Sequence, residues 1–267
     1  MNPHFLYGTA WKEERTAERV ELALRNGFRG IDTANQRKHY FEAAVGGALA
    51  ASYREGVVQR GDVFLQTKFT YLPGQDHRLP YDPSAPLAQQ VAESMASSLD
   101  HLDTDYVDSY VLHGPSSGHG WTEHDNEVWG AMQRERDAGR ALVLGVSNVS
   151  LRHLHQMPEK PAYVQNRCFA RVGWDRDVRT YCREHGIVYQ GFSLLTANPE
   201  VFRHPVMHQI AARENATLAQ VVFRFALGVG MLPLTGTTDP AHMQEDLASS
   251  AIHLSEAEIA QIESLVA

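Results

Sequence analysis

Several short apolar runs carry polar side chains able to hold charge or move protons: Asp32 in GIDTA, Lys68 in LQTKF, His113 in YVLHGP, and Ser147 with Asn148 in GVSN. A carboxylate, an ammonium and an imidazole are the groups of acid–base catalysis and of charge support, if one cavity collects them. Taken singly, each has a structural explanation. A strand-end Asp caps the next helix, a Lys sits in solvent, and a His bonds a backbone carbonyl. Their placement says more than their types, because the carboxyl ends of the strands of a barrel converge on one mouth however far apart they lie in sequence.

The elements that would position them recur. Runs rich in Val, Ile, Tyr and Phe occupy 5–10, 28–34, 62–69, 106–114, 141–148, 162–167, 187–193 and 231–237, each followed by a segment able to form a helix. Eight such units predict a single (β/α)8 TIM barrel. Leu87, Val91, Met95, Leu99 and Leu102 form one apolar helical stripe. Thr217 with Gln220, and Ser255 with Glu258, have capping-box spacing, and the second pair opens an extra C-terminal helix carrying Ile259, Ile262 and Leu265. No low-complexity linker divides the chain, so one domain over 1–267 is expected. The loops 71–84 and 114–125 follow strands, on the side where barrel enzymes hold their substrates.

Composition narrows the classes. Of 267 residues 43% are hydrophobic and 21% charged, which supplies a core and argues against disorder. With 24 Lys and Arg against 32 Asp and Glu, the formal charge of −8 repels a phosphate backbone, so nucleic acid is not an expected partner. Cys168 and Cys182 are too few for a disulfide scaffold and lack zinc-ligand spacing, which suits a reducing cytoplasm. Residues 1–14 lack the basic-then-apolar pattern of a secretory leader, and no uncharged stretch approaches the ~20 residues of a membrane span.

Seven segments in order, GFRGIDTA, VFLQTKF, SLDHLDTDYVDSYVLHGP, GVSN, YVQNR, YCREHGIVYQGFSLL and TLAQVVFRFALGVGMLPLTGTTDPAHMQEDL, resemble the aldo-keto reductase family, over residues 7–265. The resemblance implies a catalytic set of Asp32, Tyr40, Lys68 and His113 that reduces a carbonyl to an alcohol. Hydride delivery leaves charge on the carbonyl oxygen, which needs a proton donor and hydrogen-bonding support. Tyr40 would donate the proton, Lys68 would lower the phenol pKa, Asp32 would hold Lys68, and His113 would orient the substrate oxygen. In the usual pattern the tyrosine stands five residues after the Asp, at what is here Arg37. The segment NQRKHYF is longer and leaves both His39 and Tyr40 near that position; Tyr40 is taken for its phenol.

The resemblance also implies a nicotinamide cofactor across the barrel mouth. Ser147, Asn148 and Gln165 match the carboxamide holders, Phe192 the stacking aromatic, and Ser193 and Leu195 the pyrophosphate neighbourhood, with Thr9 beside them. Thr235, Gly236, Thr237 and His242 match the adenosine-phosphate end, and Glu245 and Asp246 its adenine side. NADPH is expected. Because Thr235 and His242 stand where phosphate-preferring relatives carry Lys and Arg, NADH is left open. No G-x-G-x-x-G follows a strand. Trp11, Tyr71, His119 and Trp121 are candidates for the pocket of a small-molecule carbonyl substrate. A monomer is expected, and a chain stopping at Ala267 predicts a fairly open pocket. Two other readings use the same residues: a nicotinamide-binding sensing or regulatory protein, and a non-redox pathway enzyme. A metal-dependent hydrolase is disfavoured although the chain has 14 histidines, since His153 and His155 point apart on a helix and His119 and His124 lack a third ligand. No metal is expected.

Overall fold

A computed structural model describes residues 3–266. Every expected run contains a strand: β1 Leu6–Gly8, β2 Gly30–Asp32, β3 Phe64–Phe69, β4 Val107–Leu112, β5 Ala141–Ser147, β6 Tyr163–Arg167, β7 Val188–Phe192 and β8 Met231–Thr235. All pair in parallel in chain order, and β8 returns to β1 to close the barrel. The helices are α1 Thr16–Arg25, α2 Glu42–Arg54, α3 Leu87–Leu102, α4 Glu123–Asp137, α5 Leu151–Gln156, α6 Arg176–Glu184, α7 Pro205–Glu214, α8 Leu218–Gly228, α9 Pro240–Ala248 and α10 Glu256–Ser264. The crossover from β7 to β8 holds two helices, α7 and α8. The extra C-terminal helix is α10.

Local sequence explains the boundaries. Thr217 and Ser255 cap α8 and α10 through the Gln220 and Glu258 boxes, and Asp239 caps α9 ahead of Pro240. On α3, Val91, Met95 and Leu102 are buried and Leu87 and Leu99 pack at the margin, as their spacing predicts. Gly46 lets α2 meet the end of α3, where a Cβ would stand 2.0 Å from the His101 carbonyl oxygen. Among the described residues no helix is long and apolar enough to cross a membrane.

The pleat of the strands sorts their side chains into two environments. Outward residues such as Ile31, Leu65, Phe69, Tyr110 and Leu112 join the helices in the main core. Inside the barrel, Leu6, Phe64, Tyr163 and Leu232 form a small apolar plug, with Phe64 and Tyr163 edge to face at 5.4 Å. One strand repeat above this plug, toward the carboxyl ends, the inward residues turn polar: Asp32, Gln66, Lys68, Gln165 and Gln190. The plug closes the base of the site, so the polar layer above it faces the carboxyl ends of the strands.

Candidate active site

Asp32 ends β2 directly opposite Gln66 of β3, and Lys68 follows one repeat later on the same inward face. Lys68 Nζ donates to Asp32 Oδ1 at 2.7 Å, to Asp32 Oδ2 at 2.8 Å and to the Thr33 carbonyl at 2.7 Å. Those three bonds use every hydrogen of the ammonium. Asp32 Oδ1 also accepts from Gln66 Nε2 at 2.7 Å and Gln165 Nε2 at 3.0 Å, and both glutamines meet the Gln190 side chain. A buried ion pair is costly unless its remaining lone pairs are satisfied, and the glutamine layer satisfies them. Burial pushes the Lys68 pKa down, while Asp32 opposes that shift.

Tyr40 lies between β2 and α2, and its backbone N–H is held by the Gln36 carbonyl at 3.0 Å. Its ring centre is 5.1 Å from Lys68 Nζ and 5.9 Å from the His113 ring, edge to face. Tyr40 thus joins the set, and His39 lines both cavities beside it with its ring tilted against Trp11, centroids 4.0 Å apart. The expected lowering of the phenol pKa is not met. Burial, then the Asp32 charge, pushes it up, because Lys68 spends its hydrogens on Asp32 and Thr33 and gives none to the phenol. At neutral pH the phenol therefore keeps its proton.

His113 follows β4. Its N–H donates to the Phe69 carbonyl at 2.9 Å, its carbonyl accepts from Asn148 Nδ2 at 2.7 Å, and its Nδ1 lies 2.7 Å from Thr70 Oγ1. Burial, reinforced by the Lys68 charge, pushes its pKa down to about 3, so the ring is neutral at physiological pH.

Two cavities meet over these groups. A trough of about 740 Å³ runs from Trp11, Tyr40 and His113 past Ser147, Asn148, Gln165, Phe192, Ser193 and Leu195 to Thr235, Gly236, Thr237, His242, Glu245 and Asp246. Of the expected cofactor residues, Thr9 alone is absent from its wall; it is fully buried and bonds the Asp32 carbonyl through both its N–H and its hydroxyl. The amide hydrogens of Gln165 are taken by Asp32 and Gln190, which leaves Oε1 to meet a ligand. At the far end the Thr235 hydroxyl is committed to Asp246 Oδ2 at 2.8 Å, and Asp239 occupies the first free N–H groups of α9. Burial raises the Asp246 pKa to about 6.

The second cavity, also about 740 Å³, is lined by Trp11, Gln36, His39, Tyr40, Thr70, Tyr71, Leu87, His113, Pro115, Ser116 and His124, with no charged carboxylate, Lys or Arg on its wall. Trp11 is 69% exposed and overhangs the junction, while the Tyr71 hydroxyl donates to Asp125 Oδ1 at 2.9 Å. His119 and Trp121 do not line it. The 114–125 loop turns His119 to solvent and packs Trp121 edge-on against Trp129, with its indole N–H on Asn126. A local turn and an aromatic pair decide their places, and neither is visible as a pattern in the sequence.

Several contributors escaped the reading of the sequence. Lys12 is buried on the trough wall, donates to the Gly236 carbonyl at 2.9 Å and has its pKa pushed down to about 8 by burial. Arg167 lines the same trough, 5.7 Å from the centre of the Phe192 ring. Gln66 and Gln190 were readable as inward positions by strand alternation. Among the described residues no three His, Cys, Asp or Glu stand together as metal ligands.

Residues 5–198 and 203–267 match the model of the aldo/keto reductase family. An aldo-keto reductase of Mycolicibacterium vanbaalenii is 30% identical over 250 residues, covering 92% of this chain and 81% of that protein. The Bacillus subtilis oxidoreductase YtbE is 27% identical over 250 residues, covering 92% and 82%. Among solved structures, a Bombyx mori aldo-keto reductase in complex with NADP superposes with a TM-score of 0.82 at 22% identity, over 98% of this chain and 88% of that one.

Proposed function

This chain belongs to the aldo/keto reductase family, and from that premise we propose that it is an NAD(P)H-dependent oxidoreductase that reduces an aldehyde or ketone to an alcohol. One observation carries the reading. Tyr40 and His113 line both cavities where they join, and the buried Lys68–Asp32 pair lies against the Tyr40 ring. Among the described residues no group accepts the Tyr40 hydroxyl hydrogen, so the phenol is available to a ligand.

The chemistry of the trough supports a nicotinamide dinucleotide. Phe192 offers a flat face for a nicotinamide ring, Asn148 and Gln165 offer carbonyl oxygens to a carboxamide, and Lys12 and Arg167 are cations on a wall that a diphosphate would follow. The cofactor, once bound, supplies the hydride that reduces the carbonyl carbon.

The chain's own residues handle the oxygen. Tyr40 gives its phenolic proton to the carbonyl oxygen as the negative charge develops there, so hydride and proton together make the alcohol. The phenolate left behind faces the Lys68 charge across the ring and is reprotonated from water through the open cavity. Lys68 acts through its charge, Asp32 and the glutamine layer keep that charge in place, and neutral His113 directs a ring nitrogen at the substrate oxygen. A wall without charged groups suits an uncharged substrate body.

The test is titration of the purified protein with NADPH and then NADH, followed by intrinsic fluorescence, beside a turnover assay with an aromatic aldehyde. Saturable binding and aldehyde-dependent cofactor oxidation are expected. Failure of both cofactors to bind would refute the reading.

A further inference from the structure

We infer that Thr70 is a positioning residue that fixes His113 in the Nε2–H tautomer, so that the ring presents a hydrogen-bond donor to the substrate cavity. The catalytic consequence rests on the reductase reading, but the tautomer does not.

Both partners are held from outside their contact. The Thr70 carbonyl accepts from the Tyr81 hydroxyl at 2.8 Å and from Gln75 Nε2 at 3.3 Å, and its methyl lies over Gly74, where a Cβ would come within 2.7 Å. His113 is tied at its N–H by the Phe69 carbonyl and at its carbonyl by Asn148. With both backbones fixed, the 2.7 Å approach of Thr70 Oγ1 to Nδ1 follows from the strand ends themselves. Thr70 is 6% exposed and lines the substrate cavity beside His113.

Counting hydrogens selects the tautomer. A neutral imidazole has one N–H donor and one acceptor nitrogen, and a threonine hydroxyl has one hydrogen. If Thr70 donates to Nδ1, its hydrogen is matched and Nε2 carries the ring proton toward the cavity. If Nδ1 donates to Thr70, the hydroxyl hydrogen has no protein acceptor among the described residues and is left to the cavity that Thr70 lines. The first arrangement also serves the chemistry, since an N–H at Nε2 supports negative charge growing on a carbonyl oxygen and a bare Nε2 would repel it. Burial and the Lys68 charge keep the ring neutral, so the choice lies between these two tautomers.

The experiment uses histidine 15N NMR on the full chain without substrate, with the His113 signals identified by their loss in His113→Gln. Wild type and Thr70→Ser are expected to show a protonated-type Nε2 and an unprotonated-type Nδ1. Thr70→Val, nearly the same shape without the hydroxyl, is expected to shift toward a tautomer mixture; Thr70→Ala serves if the valine variant does not fold. Turnover per enzyme is expected to fall roughly 10- to 100-fold in the valine variant and to return in the serine variant. A wild-type ring protonated at Nδ1, or a valine variant with an unchanged tautomer, overturns the assignment. An Nε2–H ring that responds to Thr70→Val sustains it even with no carbonyl turnover, and that absence would then count against the reductase reading alone.

Discussion

Asp32→Asn exposes what the barrel interior does for Lys68. The ammonium is fully buried, and among the described residues the carboxylate paired with it is Asp32, 2.7 Å away. Replacing that carboxylate by an amide keeps the shape and an acceptor oxygen but leaves a positive charge without its counter-ion. Breaking a buried pair on one side costs about 3–5 kcal/mol. The protein can limit this cost by releasing the Lys68 proton. From the ordinary lysine pKa of 10.5, neutralisation costs about 5 kcal/mol at pH 7 and about 2 kcal/mol at pH 9. In the variant the folded-state pKa lies below the unfolded one, so the unfolded chain binds more protons and stability recovers as pH rises. Chemical denaturation of wild type and variant at pH 7, 8 and 9 should therefore show a deficit of about 3–5 kcal/mol at pH 7 that falls toward about 2 kcal/mol at pH 9. Adding Lys68→Met to Asp32→Asn removes the stranded charge and should recover much of the loss at pH 7. A deficit below about 1 kcal/mol, or one equal at pH 7 and pH 9, would refute the account of the pair.

Tyr40→Phe should fold and bind the cofactor while losing about 10²- to 10⁴-fold in carbonyl turnover, measured as cofactor oxidation; near-full turnover would move the acid elsewhere. Asp246, whose pKa burial raises to about 6, is penalised when ionised. Asp246→Asn should therefore stabilise the fold by about 3 kcal/mol at pH 8 and by nothing measurable near pH 4, read from denaturation midpoints at the two pH values. Gly46→Ala would gain about 1 kcal/mol in an exposed helix, but here the new methyl meets the His101 carbonyl oxygen at 2.0 Å. A net loss of about 2 kcal/mol or more is expected, seen as a lower melting temperature.

Much of the fold was legible because strand and helix periods are local. The run FLQTKF reads as a strand from its apolar neighbours and turn-bounded ends, and its inward face, Phe64, Gln66 and Lys68, follows from alternation alone. Asp32, Lys68 and His113 stand out in the sequence because strand ends in a barrel share one mouth. What stayed hidden depends on long-range closure or loop shape. Lys12 reaches Gly236, 224 positions away, because β1 pairs with β8. The protonation of Tyr40 turns on where three ammonium hydrogens point, which residue types do not specify. His119 and Trp121 sit in the loop that borders the pocket through Pro115, Ser116 and His124, yet the Thr122 cap and the Trp121–Trp129 pair turn these two side chains aside. Thr70 reads as one polar residue after a strand until the His113 ring is placed beside its hydroxyl.

The central claim is hydride transfer to a carbonyl carbon with Tyr40 as the proton source. The most direct test is a single-turnover reaction with cofactor deuterated at the transferring position, with mass analysis of the product. The account predicts an alcohol carrying one deuterium at the former carbonyl carbon, formed one for one with oxidised cofactor, and little or none of it from Tyr40→Phe that still binds cofactor. Product without deuterium, or formed with no cofactor consumed, would contradict it and assign the site to non-redox chemistry.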